Sequence, residues 1–173
     1  MGTLYLMCGT PFSGKTTLAK QIAARMGYHY ISLDDLMRER GFDLSQTQPV
    51  EEWEKTHHIC FQLLHTLMQE DTNIVLDDTN FLKWLRERFR AVALEHKYQV
   101  RTIHLAIPVT ELERRRQQAL ATGERNYLDD EAFYNVIHHF EVPDQAEDPI
   151  IFDMTSELSK WLDTHFPMTS PLA

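Results

Sequence analysis

Short apolar runs alternate with amphipathic stretches along the whole chain. Leu4 to Cys8, Tyr28 to Ile31, Asn73 to Asp78, Tyr98 to Ile107 and Pro149 to Phe152 have strand length and, mostly, buried-strand composition, and Pro108 stops the fourth. Between them the spacing turns helical. Leu18, Ile22 and Met26 share one side of a helix ended by Gly27, and Ser32 with Asp35 opens a short helix through Arg40 that Gly41 ends. Val50, Trp53, His57, Cys60, Phe61, Leu64, Leu67 and Met68 mark a long amphipathic helix, and Phe81 to His96 carries Phe81, Leu85, Phe89 and Val92. Thr110 with Glu113 is read as the cap of a helix running to Gly123, Asp129 as the cap of one reaching Phe140, and Thr155 to His165 as a closing helix. Five strands joined through helices imply right-handed crossovers and a parallel sheet covered on both faces, in one α/β domain over residues 1–166 with a loose tail at 167–173.

Composition narrows this little. At 173 residues, 43% hydrophobic and 25% charged, the chain fits one globular domain, and its apolar runs fall well short of the ~20 residues of a membrane span. The first strand begins so early that no cleaved signal is expected, and a cytoplasmic location follows as the expectation. Cys8 and Cys60 are expected to be reduced and to pack in the core. A net charge of −9 disfavours tracking along a nucleic-acid duplex, which draws on many Lys and Arg contacts. The basic residues concentrate between Lys83 and Arg125. His57, His58 and His65 lie on one helix, but two of them are adjacent and face apart, so no metal is expected there.

Gly9 to Thr16 fits G-x-x-x-x-G-K-[ST] and lies between a strand and a helix, which is the context that pattern requires. Gly9 and Gly14 allow successive N–H groups to point inward, so Gly9, Thr10, Pro11, Phe12, Ser13, Gly14, Lys15, Thr16 and Thr17 form a candidate phosphate cradle. Lys15 is placed to reach the β- and γ-phosphates of ATP and Thr16 to put its hydroxyl on Mg²⁺. Asp77 and Asp78 end the third strand, where one of them can hold the metal's water shell. Asn80 follows as a candidate substrate contact or as the cap of the next helix. Asp34 and Asp35 follow the second strand. Asp35 has a possible capping duty and Asp34 none, at the strand ends where ligands of open α/β sheets sit. Arg114, Arg115, Arg116 and Arg125 fall where a lid over the nucleotide would lie, with Arg116 and Arg125 the candidates to face transferring phosphoryl charge.

In the order GTPFSGKT, LDDLMR and VLDDTN, the chain resembles the small P-loop kinases related to polynucleotide 5′-hydroxyl kinase, the zeta-toxin-like kinases and chloramphenicol phosphotransferase. The likeness extends over roughly residues 3–140. It implies a P-loop NTPase fold of the kinase type, with an acceptor bound opposite ATP. It also implies Asp34 as the base for the acceptor hydroxyl, Arg38 as an acceptor contact one residue further along than in those kinases, and either strand-three aspartate at the metal. The acceptor is a small molecule or a nucleic-acid 5′ end, and an ATP-binding switch without catalysis stays open as the alternative.

Overall fold

A computed structural model describes residues 1–123 and 129–168. Its strands are β1 (Thr3–Cys8), β2 (His29–Ser32), β3 (Ile74–Asp77), β4 (Gln99–Leu105) and β5 (Ile150–Phe152). They form one parallel sheet in the order β2-β3-β1-β4-β5. The helices are α1 (Lys15–Met26), α2 (Leu33–Glu39), α3 (Val50–Gln69), α4 (Lys83–Glu95), α5 (Val109–Thr122), α6 (Asp130–His138) and α7 (Leu158–His165). This is the P-loop NTPase fold of the kinase type, and a 3-10 turn at Gln145–Glu147, which the apolar pattern does not announce, precedes β5.

Successive strand residues face opposite sides, and both sides are apolar. Leu4 and Leu6 of β1, with Ile74 and Leu76 of β3, pack against Cys60 and Leu64 of α3 and Phe89 and Ala93 of α4. Met7 and Val75 face the other way, onto Leu18 and Ile22 of α1, Trp161 and Phe166. Each such side chain, fully buried, contributes about 1.5–3 kcal/mol. Cys8 and Cys60 are both free thiols inside these layers.

Local endings follow their chemistry. Gly27 closes α1 at φ 67° and Gly123 closes α5 at φ 64°, the left-handed conformation that glycine adopts without strain. Asp129 caps α6 by accepting from the Ala132 N–H at 2.7 Å. Two expected caps are corrected. The helix expected to begin at Thr110 starts at Val109 after Pro108, whose fixed φ suits a helix entry, so Thr110 already lies inside the first turn. Asn80 does not cap α4, because Leu82 holds that place. Asn80 instead takes φ 48° and donates from Nδ2 to the Met7 carbonyl at 2.9 Å.

The side chains that fix this end of the sheet are polar. Fully buried Arg86 of α4 makes a two-pronged pair with Glu147 of the 3-10 turn at 2.7 and 2.8 Å, and a third bond to the Asn80 carbonyl at 2.9 Å. Burial alone would push the Glu147 carboxyl up, but the Arg86 contacts outweigh it and hold the group below its ordinary range. That stabilisation is therefore complete at neutral pH and fades only as acid carries Glu147 through its lowered pKa. Arg86→Met is expected to cost about 3 kcal/mol in urea denaturation at pH 7, because it strands a buried charge. The deficit should narrow as acid protonates Glu147, first in the variant, where burial without Arg86 raises its carboxyl, and then in the parent. A loss of only a few tenths of a kcal/mol at pH 7 would contradict it.

Candidate functional site

The residues from Gly9 to Thr17 leave β1 and enter α1 as a loop whose shape is dictated by its glycines. A Cβ on Gly9 would stand 2.9 Å from Ser13 Oγ, and Gly14 takes φ 98° at the helix entry with no side chain capping the first turn. The leading N–H groups of α1 are thus left for an anion. Lys15 lies back across the loop, its Nζ donating to the Thr10 carbonyl at 2.9 Å. Burial pushes the Lys15 ammonium pKa down, opposed by the charges of Asp77, Asp78 and Asp34, so these four groups share one end of the sheet. Among the described residues the buried Ser13 hydroxyl of this loop finds no hydrogen-bond partner.

Within this loop, Phe12 is the non-glycine residue at positive φ. Its φ of 65° is left-handed, a conformation costing a bulky residue about 1–2 kcal/mol. Beside it opens a cleft of about 750 Å³ lined by Phe12, Gly14, Arg115, Gln118, Met154 and Ser156.

β3 lies next to β1 with Leu6 opposite Leu76, so Asp77 reaches the loop. Buried Asp77 accepts a hydrogen bond from the Tyr30 hydroxyl at 2.9 Å. Burial pushes its carboxyl up, and Thr16, Lys15 and Tyr30 each pull the other way. Asp78 faces α3 instead, where His57 Nε2 stands 3.9 Å from its carboxylate. His57 Nδ1 lies 2.8 Å from the Trp53 carbonyl, an acceptor only, so Nδ1 carries the proton there.

Asp34 is exposed at the start of α2. Its carboxyl is pushed up by the surrounding protein and then by the Asp78 charge, with Arg38 opposing. Ser32 Oγ caps α2 by accepting from the Asp35 N–H at 3.2 Å, but the Asp35 carboxylate turns to Arg38 at 2.7 Å. Arg38 also stands 4.0 Å from Asp34, so it lies between the two acids. Asn80 is fully buried, tying the exit of β3 to β1 rather than facing the opening.

The three successive arginines of α5 separate. Arg114 stays in solvent with Glu111 and Gln118. Arg115 reaches the phosphate loop and donates to the carbonyls of Phe12 and Ser13 at 3.2 and 2.9 Å. Arg116 turns to Asp130 and over the Phe133 ring, 5.0 Å from its centre. Arg125 lies outside the described residues.

The sequence profile of the AAA_33 family, described as an AAA domain, matches residues 4–143, well over half the chain. The chain belongs to this family. Solved structures share the fold of this AAA_33 domain. A Chloroflexus aurantiacus protein provisionally assigned as a kinase superposes with a TM-score of 0.74 at 15% identity, covering 95% of this chain and 98% of its own. A gluconokinase from Sinorhizobium meliloti 1021 gives 0.68 at 16%, covering 93% and 87%. The Mycobacterium tuberculosis APS kinase CysC, solved with AMPPNP and APS, gives 0.67 at 14%, covering 94% and 95%. Among curated proteins, one from Pyrococcus abyssi (strain GE5 / Orsay), provisionally assigned as an adenylate kinase, is 47% identical over 38 residues. That stretch is 22% of this chain, which spans only 21% of that relative's length.

Sequence reading passes over Tyr30 and groups Arg115 with the other lid arginines without singling it out. The signal for Arg115 is helical phase, since it lies three residues after buried Leu112 and therefore on the face that α5 turns inward. Tyr30 shares a sheet face with Val75 and Asp77, which is legible only once β2 is known to pair with β3. Replacing Tyr30 by Phe removes one of the bonds that hold the Asp77 carboxyl down, so its pKa should rise further, and stability should fall by about 1 kcal/mol. Carboxyl-carbon NMR titration reads the first effect. An unmoved Asp77 would mean that the Tyr30 bond does not form in solution.

Proposed function

We propose that this protein is an ATP-dependent phosphotransferase that moves the γ-phosphate to a hydroxyl group. The observation that carries the reading is the cradle itself: a glycine-shaped loop with an uncapped helix entry, Lys15 laid across it, and buried Asp77 at the end of the strand beside it. The cleft beside the loop has room for the nucleoside. Kinases among the structures of the same fold, one bound to AMPPNP, support the same reading.

Mg²⁺ fits the donor set. The Thr16 hydroxyl, in the first turn of the helix that follows β1, and the Asp77 carboxylate, at the end of neighbouring β3, are hard oxygens, and among the described residues no three His, Cys, Asp or Glu side chains gather into a metal site. The ion would therefore draw the rest of its shell from phosphate oxygens and water. Bound there, it neutralises charge on the transferring phosphoryl group. Between the two aspartates, Asp77 is the better candidate because Asp78 looks toward His57.

The remaining roles belong to this chain's own groups. The loop N–H groups and Lys15 hold the β- and γ-phosphates. Asp34 takes the acceptor's proton, and its raised carboxyl is the better base for it, since basicity nearer neutral pH strengthens proton abstraction. Arg38 steers the acceptor, and Arg116 and Arg125 approach the developing charge when the enzyme closes. The acceptor is a small hydroxyl compound or a nucleic-acid 5′ end. Arg38 already shared by Asp34 and Asp35 favours an acceptor that presents a hydroxyl, not a phosphate, at that position.

Incubation with γ-labelled ATP and a panel of sugars, nucleosides, antibiotics and 5′-hydroxyl oligonucleotides tests the reading. Label should pass to at least one acceptor, and Lys15→Ala should abolish transfer while the fold persists. Nucleotide binding without transfer to any acceptor would favour the switch reading. With the acceptor in hand, Asp34→Asn is expected to lower single-turnover transfer by about 10²-fold or more while ATP still binds. Asp35→Asn should lose no more than about tenfold through its Arg38 contact. The opposite ranking would move the base to Asp35.

A further inference from the structure

Phe12 holds a left-handed backbone that a glycine would adopt freely, so its side chain must be retained by what it touches. Two different helices meet it. Its ring stands edge-on to Phe133 of α6, with centroids 5.7 Å apart and planes at 70°, and Phe133 is fully buried. Its carbonyl accepts from Arg115 of α5 at 3.2 Å, and Arg115 is itself braced by Glu111 at 2.7 Å. The other face of this arrangement carries Arg116, whose guanidinium lies over the same Phe133 ring and pairs with Asp130 of α6. One residue of the phosphate loop is thus fastened through its backbone to α5 and through its ring to the side chain on which Arg116 rests.

We propose that Phe12 is a positioning residue that sets the placement of Arg116, by coupling the occupancy of the phosphate loop to the α5–α6 arm. The proposal rests on the nucleotide reading above. A phosphate seated in the cradle takes up the N–H groups of the loop and fixes the orientation of its peptides. The Phe12 carbonyl and ring belong to those peptides, so an ordered loop orders both attachments at once. A residue present only to fill space would need neither the unfavourable backbone nor two partners on separate helices.

Hydrogen exchange with and without AMPPNP and magnesium chloride tests this without knowledge of the acceptor. In the parent protein, nucleotide should slow exchange over residues 109–122 and 130–138 by about tenfold, besides protecting the start of α1. Phe12→Gly, which can adopt the same backbone conformation, should lose the slowing in α5 and α6 at saturating AMPPNP, whatever its affinity. Phe12→Tyr should retain it. Phe133→Leu leaves the loop's own residues untouched and should lose it as Phe12→Gly does, which decides the matter even where the glycine variant binds poorly. If Phe133→Leu binds nucleotide and slows α5 and α6 as the parent does, or if the parent binds nucleotide without slowing them, the coupling is overturned. If the parent binds no nucleotide, the nucleotide reading fails, and the coupling with it.

Discussion

Two chain exits, one after Cys8 and one after Asp77, are held side by side, and everything chemical in this domain depends on that. Pairing of β1 with β3 brings them to the same height, and polar contacts then pin them. The Gly9 N–H donates to the Thr79 carbonyl at 3.1 Å, Asn80 Nδ2 to the Met7 carbonyl at 2.9 Å, and buried Arg86 to the Asn80 carbonyl at 2.9 Å. Buried backbone groups must find partners, and here they find them across the two strands that carry the glycine loop and the acid pair. The consequence is that the glycine loop and Asp77 lie side by side without Asp77 being placed by a flexible loop.

Arg86 shows how the pin is supported from behind. Its pair with Glu147 reaches from α4 to the turn before β5, so the edge of the sheet farthest from β3 is tied to the exit of β3. A charge pair of this kind adds little stability over an apolar one but punishes any arrangement that separates its members. It therefore selects one placement of the strand exits over near alternatives, which is what a site built from two strands requires.

Much of this was legible in the sequence, and the parts that were not share a cause. Five strands, seven helices and the glycine-shaped loop between β1 and α1 could be read because Leu4 to Cys8 and Asn73 to Asp78 are continuous apolar runs and because Gly9, Gly14 and Lys15 stand at a spacing with a physical meaning. Strand order could be expected only through resemblance, and Tyr30 became visible as a partner of Asp77 only when β2 was found beside β3. The arginines of α5 looked alike in sequence, yet one turn of helix sends Arg114 to solvent, Arg115 to the phosphate loop and Arg116 to Asp130. Asn80 was read as a ligand contact or cap because Asn is common in both, whereas its positive φ and its bond to Met7 depend on a strand distant in the chain. Contacts between distant segments are what local pattern does not carry.

The account rests on the loop from Gly9 to Thr16 being a seat for phosphate, and a comparison of ligands by calorimetry tests that most directly. ATP, ADP, AMP and adenosine would be titrated in turn, with magnesium chloride present. If the cradle and Lys15 supply the binding energy, ATP and ADP should bind at least about 10²-fold more tightly than adenosine, a gap of roughly 3 kcal/mol. Adenosine binding as tightly as ATP would contradict the account, because the cleft alone would then hold the nucleotide and the loop would hold nothing.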